Sequence, residues 1–155
     1  MRAGVSSACL YPMILEESIE FLGQLGIGTI EIFINTDVET NLDYIKLLAE
    51  IMKKYDMKCI SVHPYTCSIE PMMFFSDYER RVTDGIEYYK KYFHAMNILG
   101  AEIFVFHGNK DGLGTTEERY FERFERLSDA GREYGITIAQ ENVARCQSHS
   151  LKFMK

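Results

Sequence analysis

Three stretches of the sequence end an apolar run on a residue that can bind a metal or move a proton. "CISVHPYT" ends its run at His63, "EIFVFHGNKDG" at His107 and "ITIAQEN" at Glu141. Imidazole nitrogen and carboxylate oxygen are the donors that zinc and manganese take in catalytic sites. The same groups serve as general acids and bases. A single histidine at the end of an apolar run more often satisfies its own loop than a metal. Glu141 is harder to assign to packing, because a carboxylate buried without a partner costs on the order of several kcal/mol. What matters is whether one fold gathers all three.

The bulk properties set limits. A chain of 155 residues supports one domain over residues 1–155 with a real hydrophobic core. Its 46% hydrophobic and 26% charged residues are typical of globular proteins. No run approaches the ~18 consecutive apolar residues of a membrane helix, so no membrane partner is expected. The N-terminal "MRAGVSSACLYP" moves directly into a strand-like segment and lacks the apolar core of a secretory signal, which makes the cytoplasm the expected location. Net charge is −6, with both signs mixed along the helical segments, which argues against a nucleic-acid partner. Cys9, Cys59, Cys67 and Cys146 show neither C-x-x-C nor regular spacing, so reduced thiols are expected rather than disulfides or a zinc knuckle.

The elements that must position the three residues emerge as a repeat. Aligned on their endings, four runs read "LGIGTIEIF" (25–33), "YDMKCISVH" (55–63), "LGAEIFVFH" (99–107) and "YGITIAQEN" (134–142). Gly26, Gly100 and Gly135 sit where a preceding helix needs a residue tolerant of positive φ, and Asp56 takes that place in the second copy. "NLDYIKLLAEIMKKY" (41–55) places Leu42, Ile45, Leu48, Ala49 and Met52 on one helical face. "SDYE" (76–79) and "TTEE" (115–118) read as capping boxes opening helices over about 77–99 and 116–134. A shorter helix is expected over roughly 16–25.

Five apolar strands alternating with helices imply an α/β fold with a parallel sheet covered by helices. A dinucleotide fold would want G-x-G-x-x-G after its first strand, and "VSSACLYP" has nothing like it. A (β/α) barrel of the TIM type fits better. In such a barrel the C-terminal strand ends form the active face. His63, His107 and Glu141 then end the third, fourth and fifth strands, which lie about 4.8 Å apart. At equal heights they can meet on one divalent ion, zinc or manganese first, with magnesium or cobalt as alternatives.

The pattern "SVHPY", "VFHG" and "YGITIAQENV" resembles the xylose isomerase-like TIM barrel superfamily, from the first strand to just past the fifth. That superfamily holds sugar isomerases, ketose 3-epimerases, inosose-type dehydratases and the endonuclease IV group. The resemblance implies a divalent-metal enzyme in which Glu141 is a ligand and a proton-transfer base. It implies that positions matching His63 and His107 bind zinc in the endonuclease members, where the strand-five Glu bridges two ions. It also implies eight strands, with further ligands from strands six to eight. The sequence accounts for five and stops at "HSLKFMK", expected to lie inside a fifth helix. The expectation is therefore an incomplete barrel, the N-terminal portion of a longer fold or one completed by another copy. The unpaired edges of strands one and five would suit a homo-oligomer.

The resulting expectation is a metal-dependent isomerase or epimerase acting on a sugar or sugar phosphate. Two alternatives stand beside it. One is an endonuclease IV-like zinc phosphodiesterase acting on abasic DNA, disfavoured by the acidic or neutral loops "NTDVETN" and "GNKDGLGTTEE". The other is a non-catalytic half-barrel. "GNKDGLG" lacks the Lys-Ser/Thr ending of a phosphate loop and reads as a flexible loop over the active face. "PMMFF" (71–75) reads equally as a lid on a pocket or a seal on the helical layer. Tyr88, Tyr92, Ala95, Met96 and Leu99 form one expected packing face, and Phe121, Phe124 and Leu127 another. His94 is expected to be structural, and His149 has no evident partner.

Overall fold

The strand–helix repeat is realised in a computed structural model that describes residues 3–154; residues 1, 2 and 155, the outer ends of the first and last stretches quoted above, lie outside the described residues. The strands are β1 (Val5–Ser6), β2 (Thr29–Ile34), β3 (Lys58–Pro64), β4 (Ile103–Phe106) and β5 (Thr137–Gln140). The α-helices are α1 (Leu15–Gln24), α2 (Leu42–Lys54), the short α3 (Glu70–Phe74), α4 (Glu79–Leu99) and α5 (Glu117–Arg132). All neighbouring strands pair in parallel, in the order β1-β2-β3-β4-β5. Each strand pairs with the next in sequence, as in a barrel wall. A doubly wound sheet would reverse direction partway.

The expected helix stops are observed. Gly26, Gly100 and Gly135 have φ of 77°, 72° and 73°, and Asp56 follows them with φ 52°. At these positions the chain leaves a helix through the left-handed region, which costs glycine little and aspartate modestly. The next strand therefore always starts from the same exit. Ile30, Ile32 and Ile34 alternate along β2 and are fully buried against the helical layer with Ile19, Ile45 and Leu48. Phe104 and Phe106 do the same on β4, packing on Tyr89 and Phe74. Among the described residues no helix is long and apolar enough to cross a membrane.

Several local expectations are corrected. The hydroxyl of Ser76 accepts from the Tyr78 amide inside a turn, and Tyr78 itself is the N-cap residue of α4. In the other proposed box Thr116, not Thr115, caps α5, accepting from the Arg119 amide at 3.3 Å. Thr115 instead accepts from the Asn109 side-chain amide. Tyr92, Ala95, Met96 and Leu99 are buried on α4 and Leu127 on α5 as expected, but Tyr89 rather than Tyr88 is wholly buried, and Tyr120 takes the place of the exposed Phe121. Leu42 is exposed at the start of α2. Within "PMMFF", Phe74 and Phe75 seal the helical layer, buried among the rings of Tyr89, Phe106 and Tyr120, whereas Met72 is exposed. The segment after β5 forms turns and a 3-10 turn at Gln147–His149 instead of the expected helix. His94 packs edge-on to Tyr134, and His149 finds a partner in the Cys146 carbonyl at 2.8 Å.

Candidate metal centre

The parallel register fixes the heights of the three side chains. Phe106 lies opposite Gln140, so His107 and Glu141 follow side by side as β4 and β5 end. The Glu141 amide donates to the Phe106 carbonyl at 2.8 Å, which carries the ladder one residue beyond the strands. His63 is on β3, opposite Phe33, and its ring stacks on Phe33 with centroids 4.6 Å apart.

The three side chains converge. His63 Nε2 lies 3.0 Å from His107 Nε2 and 3.5 Å from Glu141 Oε2, and His107 Nε2 lies 2.5 Å from the same oxygen. One donor atom from each residue falls within 4.8 Å of the others. In a tetrahedral site with bonds of about 2.0–2.1 Å, neighbouring donors sit roughly 3.3 Å apart. The separations here straddle that value, with the His107–Glu141 contact tightened into a hydrogen bond. Side-chain exposure is 11% for His63 and 8% for His107, against 46% for Glu141, so two buried imidazoles back a carboxylate that faces the mouth.

The ring orientations suit ligation. His63 Nδ1 faces the Pro64 carbonyl at 3.0 Å, and a carbonyl can only accept. Nδ1 therefore carries the proton, and the Nε2 lone pair is turned toward the common point. His107 Nε2 lies against Glu141 Oε2, and its Nδ1 is buried without a partner among the described residues; a ring that ligates through Nε2 carries its proton on Nδ1. The His107 pKa is lowered below the usual imidazole value, first by burial and then by the neighbouring His63 ring, against the opposing pull of Glu141. The neutral, ligating form is thereby favoured. Two imidazoles and one carboxylate form a donor set for a divalent ion with a position left for water or substrate.

Residues that the sequence reading passed over support this cluster. The Gln140 side-chain amide donates to the carbonyls of Phe106, His107 and Glu141 at 2.9–3.0 Å and ties the two strand ends together. Its oxygen accepts from the Tyr120 hydroxyl at 2.5 Å. The Ser148 hydroxyl donates to the Glu141 carbonyl at 2.8 Å. Behind His107 the carboxylate of Glu70 is fully buried, with Oε2 accepting from the amides of His107 (3.0 Å) and Gly108 (2.7 Å). Burial pushes its pKa up to about 7, against the lowering effect of these backbone donors and of Tyr89. An isolated Glu before Pro71 in an apolar stretch was the available signal.

A family model described as xylose isomerase-like TIM barrel matches residues 19–154. The chain belongs to this family. No curated protein matches the sequence. Among solved structures, a D-tagatose 3-epimerase-like protein superposes with TM-score 0.80 at 20% identity, covering 99% of this chain and 58% of that one. The IOLI protein, solved with a bound zinc atom, gives 0.77 at 19% identity over 99% of this chain and 56% of its own. An AP endonuclease of family 2 from Brucella melitensis gives 0.66 at 16% identity, covering 89% and 54%. The chain thus spans between half and three fifths of these xylose isomerase-like barrels, and at these identities they establish the fold alone.

Proposed function

We propose that this xylose isomerase-like chain supplies the His63, His107 and Glu141 ligands of a divalent-metal centre that isomerises or epimerises a sugar or sugar phosphate. The observation that carries the reading is the meeting of the three side chains within 4.8 Å at the ends of three adjacent strands. Zinc or manganese suits the mixed nitrogen and oxygen donors. The epimerase-like barrel and the zinc-bearing barrel among the structural neighbours support the substrate class and the metal.

The bound ion would supply Lewis acidity, polarising a hydroxy-carbonyl substrate so that its carbon-bound proton becomes acidic. The chain's own groups account for the rest. Glu141, half exposed at the mouth, can reach a substrate carbon and take or return a proton. His63 and His107, set behind it and held by Phe33, Pro64 and the strand ends, stay fixed, and burial favours the neutral form of His107.

The test is Zn²⁺ and Mn²⁺ titration of the full chain, followed by ketose epimerisation assays of wild type and Glu141→Gln. Stoichiometric binding, with turnover reduced at least ~100-fold in the variant, is expected for a lost general base. Unchanged turnover in the variant overturns the base assignment. A second reading, a zinc phosphodiesterase on abasic DNA, is favoured by the convergence of both histidines with the carboxylate. Cleavage of an abasic duplex without epimerisation would promote it.

A further inference from the structure

Glu70 has no role in the reading above, yet it is the most deeply placed carboxylate near the site. It opens α3, the short helix between β3 and α4, and is fully buried. Its Oε2 accepts from two successive amides, those of His107 and Gly108, at 3.0 and 2.7 Å. Its Oε1 accepts from the Tyr89 hydroxyl at 3.1 Å, and that hydroxyl also meets Thr66 Oγ1 at 2.8 Å. No cation pairs with it among the described residues. The fold therefore tolerates an uncompensated buried acid at this point, which is costly unless specific donors meet it.

Those donors form a cradle. Successive amides in a turn can point the same way and bind an anion between them. Gly108, with φ 78°, supplies the turn. A Cβ there would run into the Tyr120 hydroxyl, so the turn is closed on both sides, by Tyr120 above and Glu70 below. The residue held at the entrance to this turn is His107, whose carbonyl is gripped in turn by Gln140. With its amide and carbonyl both fixed, the His107 backbone can aim its ring in few directions.

We infer that Glu70 is a positioning residue for His107: its carboxylate clamps the strand-four terminus from behind and thereby sets the imidazole at the metal centre. The clamp needs an acceptor of the right reach more than it needs a charge. This inference rests on His107 being a ligand, and the experiment separates the two claims.

Glu70→Gln keeps the shape and one oxygen to accept both amides, and its nitrogen can donate to the Tyr89 hydroxyl while that group donates to Thr66. Glu70→Met keeps the bulk without an acceptor. Zn²⁺ affinity of the full chain is measured by competition with a chromophoric chelator. Exchange of the His107 and Gly108 amides and the ring-nitrogen spectrum of His107 are followed by NMR without metal. Glu70→Gln is expected within ~3-fold of wild type in affinity, and Glu70→Met ~10–100-fold weaker, the usual loss for groups that orient a ligand. The same ranking is expected in amide protection, with the His107 ring signals shifted only in Glu70→Met. A packing role would leave both variants like wild type, and a charge role would impair both; either result overturns the inference. If Glu70→Met does not fold, Glu70→Asp, with the charge but a shorter reach, takes its place and is expected to fall below Glu70→Gln. If wild type binds no Zn²⁺, the metal reading fails, while the amide and ring measurements still decide the role of Glu70.

Discussion

The replacement of Glu70 by Gln should stabilise the metal-free protein above neutral pH, and by an amount that depends on pH in a defined way. Burial raises the Glu70 pKa from the ordinary glutamate value of 4.5 to about 7. Between those two values the native state holds a proton that the unfolded chain has released, so stability falls as pH rises through this window. The loss is complete above pH 7 and absent below about 4.5. At about 1.4 kcal/mol per pH unit, it amounts to roughly 3 kcal/mol. Glutamine resembles the protonated acid at every pH and pays none of it. The two proteins should therefore have equal unfolding free energies near pH 4.5 and differ by roughly 3 kcal/mol at pH 8, or roughly 6–12 °C in Tm for a domain of this size. Urea unfolding in the presence of a chelator, at pH 5 to 8.5, gives the difference directly, and groups common to both proteins cancel. A difference that does not change with pH would refute the assignment of a buried, uncompensated carboxylate.

Three further outcomes follow from the same contacts. Gly108→Ala should destabilise the chain by about 2 kcal/mol or more, because a side chain at φ 78° is strained and its Cβ displaces the Tyr120 hydroxyl; thermal unfolding checks it. Gln140→Ala removes the amide that joins the His107 and Glu141 carbonyls, so Zn²⁺ affinity should fall ~10-fold or more while far-ultraviolet dichroism is retained. Phe33→Leu takes away the ring stacked on His63, and a smaller weakening of Zn²⁺ binding, roughly 3-fold, is expected in the same titration.

Much of the architecture was readable because it depends on local rules that repeat. The left-handed exits at Gly26, Asp56, Gly100 and Gly135, each followed by an apolar run, mark every helix-to-strand passage and so imply the parallel order. The convergence of His63, His107 and Glu141 was readable for the same reason, since each ends one such run. Helix faces were less legible. The aromatic ladder of α4 offers Tyr88, Tyr89, Tyr92 and Phe93, and only packing against Phe74 and Phe104 selects Tyr89 over Tyr88. The caps were misplaced because Ser76 and Thr115 have competing partners close by, a turn amide and Asn109. The support around the site was least legible. Glu70 reaches residues 37 and 38 positions away, and Gln140 reaches back 33 and 34, so no local pattern announces them.

The central claim, that His63, His107 and Glu141 hold one divalent ion, is tested most directly by a crystal of the full chain soaked with Zn²⁺ and examined by anomalous scattering at the zinc edge. The account predicts a single strong peak bonded to the two Nε2 atoms and a Glu141 oxygen, lost in His107→Ala. A zinc-saturated crystal with no density between these three groups, or with the ion held elsewhere, would contradict it.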